Sequence, residues 1–296
     1  MTTAWFARTW AVARYELRWD LRKKRTYIIL GLFLFAAFVF AYLLPSIAGK
    51  SITESGLLNG VSLGSDLWWV NVHSLVNSIE VSGVFPLLIG GFIAADSLAS
   101  EFDSGTIVPL LSQPVRRAEV YAGKLLGKIL LLMAISVLFT LLVVVGSEIS
   151  VGVQSHLEMI PLLVFAEFGT FLEYTALAFL FGSLARSGSM VLGILVATSF
   201  LILSTMLALS LRFGEQEAMF LLPMVNVDFL LKVVPYYVFQ PWGVMVLQGG
   251  FLGNYTPPVA ITVVSGVEYA VAGLSANVVV ALLAGYYFFK NAEVRG

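Results

Sequence analysis

Six uninterrupted apolar runs, each long enough to cross a bilayer, constrain this chain more than any other feature. They lie near 26–48, 79–98, 125–146, 160–184, 189–211 and 267–289. A helix spanning the hydrocarbon core needs about 20 mostly apolar residues. Inside lipid no water is available to the peptide groups, so a continuous apolar run must form a helix. A β-barrel would instead alternate apolar and polar residues along short strands. The sequence therefore predicts an all-α polytopic membrane protein with six transmembrane helices in one membrane domain over 1–296. Charge supports this: 12% of residues are Asp, Glu, Lys or Arg, against roughly 25% in soluble domains. The first run lies behind a polar head of 25 residues and lacks a small-residue cleavage site, so it reads as a span rather than a cleaved signal.

Orientation follows from the basic residues, which concentrate on the cytoplasmic side of a membrane protein. Arg8, Arg14, Arg18, Arg22, Lys23, Lys24 and Arg25 precede the first run. Arg116, Arg117, Lys124 and Lys128 fall between the second run and the start of the third, Arg186 follows the fourth, and Lys290 and Arg295 follow the sixth. Lys50, Arg212 and Lys232 are on the other side. The division of fourteen to three predicts both termini in the cytoplasm of a multi-pass plasma-membrane protein. Met219–Val246 is apolar, but Pro223, Pro235 and Pro241 interrupt it and Asp228 and Lys232 lie within it. Proline costs about 3 kcal/mol in a helix interior. The segment 212–266 is thus expected outside, as short helices against the membrane face.

Residues 5–25 read as an interfacial helix. Trp10, Ala13, Leu17 and Leu21 share one stripe at 100° per residue, and Arg14, Arg18 and Arg22 form an adjacent one. Such a helix lies in the headgroup plane and attracts anionic lipid; the alternative is charge that only pins the N-terminus inside. Glu167 and Glu173 fall within the fourth run. Intramembrane carboxylates are costly, and these two are either structurally paired or part of a pathway.

The most informative segment is Asp96–Lys124, DSLASEFDSGTIVPLLSQPVRRAEVYAGK. It joins two spans and must project into water. Ser104-Gly105-Thr106 breaks the helix after Glu101 and Asp103. Ile107 to Leu111 is apolar outside the bilayer, and Gln113-Pro114 closes it, because the residue before proline disfavours the helical region. An apolar knuckle held in water needs a partner surface, the alternative being a turn packed on its own helices.

Asp96, Glu101, Gly105-Thr106, Leu110-Leu111-Ser112, Pro114, Arg117 and Gly123-Lys124 resemble the first cytoplasmic loop of ABC type-2 permeases, D-x4-E-x3-GT…LLS-x-P-x-x-R…GK. The overall look is similar to the branch containing the permease of the nitrous-oxide-reductase maturation transporter. The resemblance implies that 99–124 is a coupling loop docking into a separate ATPase subunit. It implies that Glu101, Gly105, Thr106, Ile107 and Leu111 contact or shape that junction, with Asp96 at its start and Pro114 and Arg117 setting the elbow into the third span. It further implies a second permease copy, or a related permease, as partner; ATP and Mg in the ATPase; and export of a substrate it does not name.

The residues fit that division of labour. A phosphate-binding loop needs GxxxxGK followed by Ser or Thr; Gly49-Lys50-Ser51 has Leu44 where the first glycine belongs, and Gly123-Lys124 is followed by Leu125. No cofactor or metal is expected in this chain, since cysteine is absent and only His73 and His156 are available, both expected in external loops. That placement also argues against an intramembrane serine protease, which needs a facing Ser and His. A net charge of −1 offers no basic excess for nucleic acid. An ion-gradient-driven transporter or channel is the alternative function, kept open by Glu167 and Glu173.

Overall fold

The computed structural model describes residues 2–48, 65–77, 84–103, 115–185, 187–213 and 263–292. All regular structure among them is helical. Helix α1 covers Thr2–Asp20. Helix α2 starts as Lys24–Phe38, passes through a π-helical stretch at Val39–Leu43 and ends as Leu44–Ala48. A short turn, Ser65–Leu67, leads into α3, Trp68–Asn77. Helix α4 runs Val84–Pro86, π-helical Leu87–Phe92 and Ile93–Asp103. It is followed by α5 (Arg117–Ser150), α6 (Ile160–Ala185), α7 (Gly188–Phe213) and α8 (Val263–Asn291).

Four stretches are long and apolar enough to cross a membrane: Lys24–Ile47, Arg117–Ser150, Leu157–Ala185 and Val271–Asn291. They coincide with the first, third, fourth and sixth apolar runs. Helices α4 and α7 occupy the second and fifth runs; the apolar stretch Gly188–Leu201 of α7 is shorter than those four. The third apolar run begins near 125, and α5 starts eight residues ahead of it at Arg117. Its first turn is closed by the Glu119 carboxylate, which accepts a hydrogen bond from the Arg116 amide at 2.8 Å, satisfying a donor that a bare helix end leaves orphaned.

The spans pack through aromatic contacts. Phe33 of α2 stacks on Phe139 of α5 at 4.3 Å between ring centroids and meets Phe171 of α6 edge-on at 5.8 Å. Helix α4 crosses α6 at Gly90, where a Cβ would collide with the Phe171 backbone carbonyl. Close approach of two membrane helices depends on such a small residue, and Thr175 fixes it by donating to the Gly90 carbonyl at 3.0 Å.

Helix α3 corrects one expectation. His73, read from sequence as external, is fully buried. Trp69 is its outer anchor: the backbone amide donates to Gln154 Oε1 at 3.2 Å and the indole to the Ser155 carbonyl at 3.0 Å. From there α3 descends between α5 and α6 until His73 Nε2 lies 3.0 Å from Glu167 Oε2 and 3.3 Å from Thr140 Oγ1. Glu167 is seven residues inside α6, about 10 Å below its first residue at 1.5 Å per residue. A segment between two apolar runs can dip back among the helices when polar groups find partners there, as Trp69 and His73 do.

Candidate functional site

The described residues place a dense polar site at the stem of the loop between α4 and α5. Its base is a pair of lysines one turn apart on α5, Lys124 and Lys128, 2% and 0% exposed. Opposite stand two acids with the same spacing on α1, Glu16 and Asp20, equally buried. Lys124 Nζ is 2.8 Å from Glu16 Oε2 and 2.7 Å from Glu101 Oε1. Lys128 Nζ is 3.0 Å from Glu16 Oε1 and closer still to Asp20 Oδ2. Ser97 donates to Glu16 Oε1 at 2.7 Å, and Lys23 reaches Asp20 at 3.4 Å. Three carboxylates and three ammoniums form one chain of contacts across α1, α4 and α5.

The backbones meet closely enough for this because of two glycines. A Cβ on Gly123 would lie 2.6 Å from Val12 Cβ and 2.7 Å from the Thr9 carbonyl; on Gly127 it would lie 2.9 Å from the Ala13 carbonyl. Arg8 meets Glu119 at 2.8 Å. Residues rising along α1 therefore meet residues rising along α5, and the two helices run side by side in the same direction. The stripe Trp10, Ala13, Leu17 and Leu21, read from sequence as a membrane-surface face, is distinct from the face docked on α5. Only Ala13 of that set is fully buried, whereas Thr9, Ala13, Glu16 and Asp20 are. The acids turn inward because α5 offers them cations at matching spacing.

The cluster is electrostatically graded. Burial pushes the Glu16 carboxyl up, but Lys128, Lys124 and the hydrogen bonds from Lys124 and Ser97 more than offset it and hold it at about 2. Burial raises Glu101 as well, and there Lys124, with a smaller pull from Lys23, does not compensate, so it stays above the usual carboxylate range. Lys124 is shared between Glu16 and Glu101, and Glu16 is held by Lys128 as well. Lys23 is pulled below its ordinary value, chiefly by burial and then by Lys128.

Of the residues expected in the loop, Gly105, Thr106, Ile107, Leu111 and Pro114 lie outside the described residues. Asp96, Glu101 and Arg117 lie within them, each tied to another helix. Asp96 pairs with Arg25 at the start of α2. Arg117 Nη1 donates to the carbonyls of Phe289, Lys290 and Ala292 at 3.2, 2.6 and 2.9 Å. Those carbonyls belong to the C-terminal end of α8, where a helix has no further donors of its own and welcomes a cation. Every described residue of the loop motif thus connects the stem to α1, α2, α5 or α8. Sequence reasoning missed Glu16, Asp20, Ser97 and Lys128 as members. The matched i, i+4 pairs of acids on α1 and lysines at the start of α5 were the available signal.

Within the spans, Glu167 bonds His73 and Thr140, the latter at 3.4 Å. Glu173 Oε1 accepts from Asn277 of α8 at 3.3 Å. The structure does not bring the two glutamates to one site.

Helices of membrane-crossing length, joined by a loop whose stem is cross-braced to several of them, define a multi-pass membrane protein of permease type. The sequence profile described as ABC-2 family transporter protein matches residues 10–294, and the chain belongs to that family. Membership makes it a membrane subunit of an ABC transporter and implies an ATPase partner. No curated protein matches it.

Proposed function

We propose that this chain is the export-type permease subunit of an ATP-driven transporter in the plasma membrane. Six spans, formed by α2 and α4 to α8, cross with both termini in the cytoplasm. Two copies, or one copy and a related permease, pair with two ATPase subunits that bind ATP and Mg. The loop 99–124 docks on the ATPase through Ile107 and Leu111, shaped by Gly105, Thr106 and Pro114. The observation that carries this reading is the braced stem. Glu101, Lys124 and Arg117 tie the two ends of the loop to α1, α5 and α8, so a push on the loop reaches several spans rather than bending one linker. In this reading Glu167 and Glu173 are structural, because each has a partner on another helix.

The test asks whether an ATPase subunit co-purifies with this chain from its native host. The native protein retains the ATPase; Ile107→Asp with Leu111→Asp loses it while the permease itself stays monodisperse. Retention by that variant overturns docking through the loop, and absence of any ATPase from the native preparation overturns the transporter assignment.

A further inference from the structure

In the sequence, α1 has nearly balanced charge: Arg8, Arg14 and Arg18 against Glu16 and Asp20. The fold separates the signs. Both acids are buried against Lys124 and Lys128, leaving the opposite side of the helix purely cationic. At 100° per residue, Thr9, Ala13, Glu16 and Asp20 cluster within about 60°, while Arg14 and Arg18 stand about 140° and 180° round from Thr9. Arg14, Arg18 and Arg22 are all exposed. Aromatic rings flank the row on both sides, Trp10 on one and Tyr15 with Trp19 on the other. The latter two stack at 6.3 Å, and Lys23 sits 5.8 Å over the Trp19 ring. Trp10, Tyr15 and Trp19 are 46%, 60% and 48% exposed.

The depth of this surface follows from α5. Its 34 residues make a helix about 51 Å long, some 20 Å more than a hydrocarbon core of about 30 Å. Exposed Glu148 marks one edge of the core. Lys128 lies 20 residues earlier, about 30 Å away and at the other edge. Asp20 is bonded to Lys128 there, so the end of α1 that carries Trp19, Arg18 and Arg22 is at headgroup level. Tryptophan, tyrosine and arginine at that level match a bilayer interface.

We propose that Arg14, Arg18 and Arg22, framed by Trp10, Tyr15 and Trp19, form a binding surface for anionic phospholipid in the leaflet beside α1. The lipid phosphates take the guanidinium donors, which suit bidentate contact, and the Trp19 ring, one residue from Asp20, takes the glycerol and upper acyl region. The α1 acids cannot compete for these arginines, because the span lysines hold them. The proposal rests on α5 crossing the membrane and not on the ATPase reading.

The test uses the full-length protein in phosphatidylcholine bilayers containing a tenth of dibrominated phosphatidylglycerol or dibrominated phosphatidylcholine, read by tryptophan quenching. Trp68 and Trp69 are buried, and the measurement is made with Trp242→Phe as the common background, so the α1 tryptophans dominate the response. Bromo-phosphatidylglycerol is expected to be enriched at the protein about five-fold or more over bromo-phosphatidylcholine, at least the factor that one basic residue near an acidic surface supplies. The enrichment falls towards one in Arg14→Gln/Arg18→Gln/Arg22→Gln, persists with three lysines at those positions, and shrinks in 0.5 M salt. Equal quenching by the two lipids in the native protein overturns the proposal. So does a preference that salt leaves intact, or one that survives the glutamine variant, which assigns the row to a protein partner. The salt arm reads the native chain and needs no variant to fold.

Discussion

Lys128 is the residue whose loss the structure is least able to absorb. It is fully buried and holds both Glu16 and Asp20. Breaking one partner out of a buried ion cluster typically costs 3–5 kcal/mol, because the remaining charges are left uncompensated. Lys128→Met is expected to cost about that much, seen as a lower melting temperature in detergent. Lys128→Met with Asp20→Asn should recover part of it, since the second change removes one stranded charge. Glu16 supplies a pH signature. Its carboxyl is held at about 2 against an ordinary 4.5. A lowered pKa stabilises the fold above 4.5, and the benefit drains away as pH falls towards 2, about 3 kcal/mol in all. Melting temperature should therefore drop over that window in the native protein. Glu16→Gln should be less stable at neutral pH and should show a shallower acid slope; an unchanged slope would count against this assignment.

At the scale of elements, α1 and the first three turns of α5 behave as one unit. Gly123→Val is expected to lift α1 from α5, since the new side chain would meet Val12 and the Thr9 carbonyl. Faster hydrogen exchange across Thr2–Asp20, with the exchange of α6 unchanged, is the readout. Gly31, with open space around it, is the control: Gly31→Ala should leave exchange as it is. The helices were largely legible in the sequence because hydrophobic runs of spanning length leave the backbone one solution. The runs at 160–184 and 189–211 match α6 and α7 within about two residues. The docked face of α1 was not legible. A hydrophobic stripe predicts burial only when the partner is apolar, and the partner here is a glycine-lined groove with two lysines. The placement of His73 was hidden for a related reason. Nothing near Trp68–Asn77 in the chain announces that its bonding partners are Thr140 and Glu167, more than sixty residues away. The stem residues Asp96, Glu101 and Arg117 were named from motif resemblance, but their ties to α2, α5 and α8 depend on helix placement, which no local pattern encodes.

At the scale of the whole molecule, the proposed coupling makes the stem the place where displacement at the loop divides among spans. Arg25–Asp96 links α2 to α4, Glu101–Lys124 links α4 to α5, and Arg117 holds the end of α8. Burial raises Glu101 above the ordinary carboxylate range, and Lys124 keeps Glu16 as a partner when the Glu101 charge is removed. Glu101→Gln is thus expected to be tolerated in folding, with a melting temperature near that of the native protein, while weakening transmission: with the ATPase bound, substrate-stimulated ATP turnover should fall several-fold at unchanged basal turnover. Glu167→Gln and Glu173→Gln belong to the same comparison. Glutamine can still bond His73, Thr140 or Asn277, so native ATPase coupling and expression are expected in both. Loss of coupling in either would move that glutamate from structure to pathway.

The ladder between α1 and α5 also sets an order in time. Glu16 and Lys124, like Asp20 and Lys128, are 108 residues apart. A ribosome adding about 5–20 residues per second needs roughly 5–20 seconds to cover that distance. For that interval the first helix exists with its two acids and no lysines to meet them. It must wait while two apolar runs are made, and the fold closes only when the start of α5 emerges. A chain that begins translation after Asp20 would present two lysines at the membrane edge with no acids from α1 to receive them. The first twenty residues are a part the later chain depends on, made in advance.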